Sequence, residues 1–313
     1  MSTTFGISAI IPTYNRSSIL RRTLESLTKV AIPSGCNFEV IVVGNRCTDD
    51  TQSVVAQIQK LNCIDIRYLE ESQLGANFAR NAGFNKARYD IIALLDDDLW
   101  VDSGWYLAIK SVYDTTDAAI VGGPAELWWE AVERPDWFSQ DMEWMLSGVN
   151  LGSEMKEVLG GLGLIGCNLT ARREVFDNIG LFNTGIDRRG ASLMGGFESD
   201  FMQKASLVNY RCYYSPNAHV KHWVAPHRTT ERYMRGICEA YGESRMYIKT
   251  KFGPKEFSRA ILGHLLLILN HGVSSYTASG KANQIHHRLL TAIGRGGLRG
   301  AVKRAFGLSP KCT

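Results

Sequence analysis

The sequence has no CxxC pair. Its seven cysteines, at positions 36, 47, 63, 167, 212, 238 and 312, are odd in number and scattered. That argues against a disulfide framework or a cysteine zinc site and favours a reducing cytoplasm. No cationic leader opens MSTTFGISAII, and its apolar run is too short for a signal peptide. Nor is there a run of roughly 20 apolar residues of the kind that spans a bilayer. The most lipid-like window, AILGHLLLILNHGVSSY from Ala260, is interrupted by His264, Asn270 and His271. The expectation is a cytoplasmic chain that does not cross a membrane by itself. Low-complexity tracts and internal repeats are absent, and 45% hydrophobic with 21% charged residues is the balance of an ordinary globular protein. One absence is lopsided. After Glu256 there is no acidic residue, whereas Arg259, Lys281, Arg288, Arg295, Arg299, Lys303, Arg304 and Lys311 add eight positive charges. The net charge of +4 therefore hides an acidic body and a basic tail.

What is present is a long alternation. A chain of 313 residues suits one large domain or two smaller ones. GISAIIPT and FEVIVVG are β-branched apolar runs that end in turns. Between them SSILRRTLESLTKV puts Ile19, Leu20, Thr23, Leu24 and Leu27 on one helical face, with Ser17 or Ser18 as cap. TDDTQSVVAQIQKL is a second helix, opened by Thr48 or Asp49, and IDIRYLE, ANFARNAGFNKA and DIIALLDD supply strand, helix and strand. Continuous apolar strands separated by helices predict a mostly parallel sheet covered on both faces. Ligands of such sheets bind beyond the carboxyl ends of the strands, where Thr13 to Arg16, Asn45 and Asp96 to Asp98 fall. Regularity fades after about residue 125, and from Thr229 the chain is helical; the boundary falls in APHRTTE.

Asp96, Asp97 and Asp98 crowd three carboxylates at the end of an apolar run. Two unit charges about 4 Å apart repel by roughly 4 kcal/mol at the effective dielectric of a protein surface. Two readings are open from the residues alone: a solvated acidic turn capping the helix DSGWYLAIKSVY, or a site where a divalent cation reverses the sign of the repulsion.

Six segments in order carry a wider pattern: SAIIPTYNR, VVGNRCTDDT, LGANFARNAG, LLDDDLWVDSGW, GCNLTARREVFDNIGLF and GGFESDF. Together they resemble the family 2 glycosyltransferases of GT-A fold, which use nucleotide-sugar donors. The resemblance covers about residues 6 to 245. It implies a Rossmann-like α/β GT-A domain over 1–228, with a nucleotide-binding half (1–125) and an acceptor and catalytic half (126–228). A helical, basic C-terminal extension, 229–313, follows. It also implies transfer of a sugar, from UDP in preference to GDP or dTDP, to a hydroxyl of a glycan or lipid-linked acceptor, with inversion.

The resemblance assigns roles residue by residue. Asp98 ligates Mn²⁺ or Mg²⁺, while Asp96 and Asp97 bind the ribose hydroxyls or metal-bound water. Pro12 and Thr13 shape a cradle for the nucleoside, Tyr14 offers a ring to the base, Arg16 brings charge near phosphate, and Arg80 reaches base or diphosphate. The alternatives are a polar turn for the first loop and a surface arginine at 80. Glu198 is the general base, and Asp200 orients it or binds acceptor; against this, ESDF is also a helix cap. His222 is a third metal ligand or a leaving-group partner, or else a structural histidine, with His219 and His227 less well placed. Two positions depart from the family pattern: Gly44, where an acid usually reads the base edge, and Phe197, where a second acid usually stands. Asn45, able to donate and accept, is the substitute base contact.

Trp128, Trp129, Trp137 and Trp144 stand in the expected acceptor half as a stacking platform or as core; adjacent Trp128 and Trp129 on a strand face opposite ways, so at least one is expected inside. The tail sets Leu289, Leu290, Ile293, Leu298, Val302, Phe306 and Leu308 among cations. Such a segment either meets an anionic membrane at the inner face or packs on the domain; with Phe306 its one stacking aromatic, nucleic acid is not expected. Rival functions are a sugar-nucleotide nucleotidyltransferase, disfavoured because IIPTYNRSS lacks a phosphate-loop glycine, and a silent scaffold that keeps the fold.

Overall fold

The computed structural model describes residues 4–188, 192–250 and 253–308. It divides into two compact units, one of Met1–Trp128, Ser147–Phe182 and Phe201–Trp223, the other of Trp129–Leu146, Asn183–Asp200 and Val224–Thr313. The last crossing between the units is at Trp223, and two earlier segments also belong to the second unit.

The first unit is built on strands β1 (Gly6–Thr13), β2 (Asn37–Asn45), β3 (Asp65–Glu71), β4 (Ile91–Leu95), β5 (Leu99–Val101), β6 (Ile120–Gly122), β7 (Ala125–Trp128), β8 (Lys156–Glu157), β9 (Asn168–Arg172), β10 (Cys212–Tyr214) and β11 (Val220–Trp223). Eight form one mixed sheet in the order β3-β2-β1-β4-β9-β6-β10-β8, and β5-β11-β7 form a second. The block β3-β2-β1-β4 is parallel, and β9 then runs antiparallel between β4 and β6. Helices α1 (Ser17–Leu27), α2 (Thr51–Gln59), α3 (Ala76–Lys86) and α4 (Trp105–Thr115) connect the strands.

Both faces of the large sheet are covered, as the unbroken apolar runs require. Ile7, Ala9 and Ile11 join Leu20, Leu24, Trp105 and Tyr106 in one core. The alternate residue Ile10 lies under α3, against Gly83. With β1 between β2 and β4, the loops that follow their carboxyl ends converge on one edge.

In the second unit α7 (Glu231–Thr250), α8 (Pro254–Gly272), the single turn α9 (Ser274–Thr277) and α10 (Lys281–Ala305) pack together, after α5 (Arg173–Ile179) and the unit-crossing α6 (Phe197–Leu207) earlier in the chain. The basic tail is α10, and its apolar residues Leu289 and Ile293 are buried. Arg288, Arg299 and Lys303 bind Glu231, Glu239 and Glu243 of α7 at 2.9, 2.7 and 2.7 Å. The tryptophan segment corrects one expectation: neither Trp128 nor Trp129 is fully inside. Trp128 meets Trp100 edge-on at 6.1 Å, Trp129 meets Phe138 at 5.5 Å, and it is Phe138 that is buried.

The capping chemistry also differs from expectation. Ser17 and Ser18 make no cap; Asp49 accepts from the Ser17 backbone at 3.0 Å and from the Thr51 backbone at 3.2 Å, so one carboxylate serves the starts of α1 and α2. Burial works to raise its pKa, but hydrogen bonds from Thr51 and Ser17 win and hold it below the usual carboxylate value. Asp49→Ala is expected to cost about 1 kcal/mol of stability, read as a Tm lower by roughly 2–4 °C. The stabilisation is complete above the ordinary carboxylate pKa, near 4. It fades as pH falls through the depressed folded value, so wild type and variant converge in acid.

Candidate metal and nucleotide site

The three aspartates form the turn between β4 and β5, and buried hydroxyls of α1 hold that turn. Thr23 Oγ1 donates to the Asp97 carbonyl at 2.8 Å and accepts from the Leu99 N–H at 3.0 Å, and Ser26 Oγ accepts from the Val101 N–H at 3.0 Å. β11 pairs antiparallel with β5 so that His222 stands opposite Leu99, and the Trp223 N–H donates to the Asp98 carbonyl at 2.9 Å. Asn168 ties down the approach to β11, donating to the carbonyls of Pro124 and Ala218 at 3.0 and 2.8 Å while accepting from Trp105 Nε1 at 2.9 Å. None of these positioning residues was singled out from sequence. The available signal was hydroxyls on the apolar face of α1, where Thr23 had been placed without a role.

The side chains resolve the crowding by taking separate partners. Arg16 Nη1 donates to Asp97 Oδ1 at 2.6 Å and its Nη2 to Asp98 Oδ2 at 2.8 Å. Thr13 donates to Asp97 Oδ2 at 2.7 Å. The remaining Asp98 oxygen, Oδ1, lies 3.1 Å from His222 Nε2, both residues being buried. Asp96 turns to Arg80, whose guanidinium is 3.3 Å away and also donates to Asn77 at 3.0 Å. Burial pushes Asp97 up to about 6, with Arg16 and Thr13 pulling against it and Asp98 adding to the rise. Burial would lower Arg16, but the charges of Asp97 and Asp98 outweigh it and hold the guanidinium above its ordinary value.

Asp96, Asp98 and His222 bring one ligand atom each within 4.8 Å of one another. Two carboxylates and an imidazole fit a divalent cation, and the oxygen majority suits Mn²⁺ or Mg²⁺. Asp97 stands outside that group, committed to Arg16 and Thr13. Arg16 is likewise committed to carboxylates, where sequence had assigned it to phosphate.

Around this centre Pro12 is half-buried, Thr13 buried and Tyr14 exposed. Asn45, expected to contact the base, is held by backbone at both ends of its amide. Its Nδ2 donates to the carbonyls of Glu71 and Gln73 at 3.2 and 2.7 Å, and its Oδ1 accepts from the Gly75 N–H at 2.7 Å. At position 44 a Cβ would lie 2.1 Å from the Tyr68 hydroxyl, so a larger residue there requires Tyr68 to move. Burial, with Cys47, Glu70 and Asp49 adding to it, pushes Tyr68 up to about 12, so its hydroxyl stays protonated. Glu198, half-buried, and Asp200, buried, lie in the first turn of α6. His219 is 3.3 Å from Glu126, and His227 packs edge-on to Tyr233.

The model of the family described as glycosyl transferase family 2 matches residues 8–180, more than half of the chain. The chain belongs to glycosyl transferase family 2. A glucosyl-dolichyl phosphate glucuronosyltransferase of Haloferax volcanii is 26% identical over 216 residues, covering 68% of this chain and 64% of its own length. Hyaluronan synthase of Pasteurella multocida is 38% identical over 122 residues, 37% of this chain and 12% of the synthase. The chain thus covers less than two thirds of either relative. A mannosyltransferase from Pyrobaculum calidifontis, solved with GDP-Man and Mn²⁺, has a TM-score of 0.61 at 18% identity over 96% of this chain and 87% of its own. S. aureus TarS in complex with UDP gives 0.55 at 17% identity over 97% and 92%. The fold is GT-A.

Arg16→Ala strips the counter-charge from two buried carboxylates and is expected to destabilise the protein by about 3 kcal/mol in urea unfolding. Arg16→Lys should recover only part of the loss, because a single ammonium does not reproduce the fork. An Arg16→Ala stability within about 0.5 kcal/mol of wild type would contradict the bridge.

Proposed function

We propose that this glycosyltransferase moves a sugar from a nucleotide diphosphate, UDP favoured, to a hydroxyl of a glycan or lipid-linked acceptor, with inversion. The observation that carries the reading is the convergence of Asp96, Asp98 and His222 at the end of β4. Those three residues would hold Mn²⁺ or Mg²⁺. When bound, the cation supplies a Lewis acid that stabilises negative charge on the departing diphosphate. Arg16 fixes the orientation of Asp98 by occupying its other oxygen. Arg80 adds positive charge beside Asp96. Glu198 accepts the proton of the acceptor hydroxyl as that oxygen bonds to the anomeric carbon and the carbon–phosphate oxygen bond breaks. Asp200 orients Glu198 or binds the acceptor. General-base help of this kind is worth about 10²–10⁴-fold.

The lipid-linked acceptor draws support from the dolichyl phosphate in the name of the Haloferax relative. A cytoplasmic setting agrees with the absence of any disulfide among the described residues. No helix among those residues is long and apolar enough to cross a membrane. On that side the reading gives the base contact to the Tyr68 hydroxyl, which lies against Gly44.

Calorimetric titration of UDP, GDP and dTDP with and without Mn²⁺ tests the donor reading. One nucleotide is expected to bind at least tenfold more tightly with Mn²⁺ present, and absence of binding by all three in folded protein would overturn it. Glu198→Gln should keep that binding while transfer falls about 10²–10⁴-fold. Unchanged transfer would remove Glu198 from the base role.

A further inference from the structure

The second unit carries an apolar surface that its fold leaves open. On α8 the inward face is Ala260 and His264, which pack with α10: Ala260 clusters with Met246 and Ala301, and Gly294 and Gly297 of α10 lie against His264. The opposite face holds Leu262, Leu265, Leu266, Leu269 and, just past the helix, Val273, all exposed; Leu269 is 70% and Val273 71% accessible. At about 100° per residue these five fall within one stripe roughly 100° wide. Lys255 and Arg259, both exposed, continue the same stripe at the N-terminal end of the helix.

The charge pattern selects the occupant. No acidic residue follows Glu256, and Glu256 itself pairs with Arg259 at 2.6 Å. A second copy of this face would offer only more leucine and more cations. On α10, Arg288, Arg299 and Lys303 are tied across the helix pair to glutamates of α7, whereas the pair of Arg259 is local, with Glu256 one turn earlier on the same exposed helix end, and Lys255 leaves that end net positive. A leucine stripe ended by cations matches a bilayer interface with anionic headgroups, where apolar side chains enter the acyl boundary and basic ones stay with phosphate.

We infer that the exposed leucine face of α8, with Lys255 and Arg259, docks the protein on an anionic lipid surface. This relocates membrane contact from the basic tail to the preceding helix. It does not rest on the donor-site reading.

The test is flotation of the full chain with vesicles of phosphatidylcholine alone or with 30% phosphatidylglycerol, the composition being roughly that of a moderately anionic leaflet. Wild type should float with the anionic vesicles and be released by salt. Leu266→Glu with Leu269→Glu should weaken binding by about 100-fold at unchanged circular dichroism, Tm and nucleotide affinity. Lys255→Glu with Arg259→Glu should cost at least about 30-fold on anionic vesicles. Arg299→Gln on α10 should stay within about twofold of wild type. Wild type failing to float at low salt would overturn the inference. So would a loss confined to Arg299→Gln, which would return the contact to α10. A dimer by light scattering that Leu266→Glu dissociates, with no flotation, would assign the face to a second copy and equally overturn it.

Discussion

One guanidinium shared by two buried carboxylates is the interaction on which the site depends. Arg16 follows β1, and Asp97 and Asp98 follow β4; these strands are parallel neighbours, so their carboxyl ends open onto the same edge. Chain direction thus delivers the cation to the anions. The fork of Arg16 takes one oxygen from each aspartate, which turns the second oxygen of Asp98 toward His222. At roughly 4 kcal/mol per close pair of like charges, three adjacent aspartates would not stay packed without such partners. Asp96 has its own in Arg80.

The same geometry explains why Asp97 and Asp98 differ in role although they are adjacent. Asp97 is spent on Thr13 and Arg16, locking the first loop to the end of β4. Asp98 turns its second oxygen to His222, 3.1 Å away. His222 arrives from a strand more than a hundred residues later because β11 pairs with β5 in a register that places it opposite Leu99. Two sheets are therefore needed to bring Asp96, Asp98 and His222 together.

Much of this was legible beforehand. The apolar runs of β1, β2 and β4 announced a parallel sheet, and the loops after them announced the site edge. What stayed hidden were contacts between residues distant in sequence. Tyr68 fills the space beside Gly44 because β3 lies next to β2, with Gly44 opposite Glu70. The Asn45 amide looked free to read a base until the turn after β3 closed over it. The leucines of α8 stood out in sequence only as the most lipid-like window, interrupted by His264; in the fold His264 is buried and the leucines are exposed, the reverse of ordinary amphipathic order.

The central claim is that Asp96, Asp98 and His222 form a divalent-cation site. It is tested most directly by electron paramagnetic resonance of Mn²⁺ titrated with protein in the presence of UDP. Wild type should remove the free-ion signal at one equivalent per chain, and Asp98→Ala and His222→Ala should each weaken that binding at least tenfold. Variants that take up Mn²⁺ as tightly as wild type would contradict the account, leaving the aspartates as a structural turn clasped by Arg16.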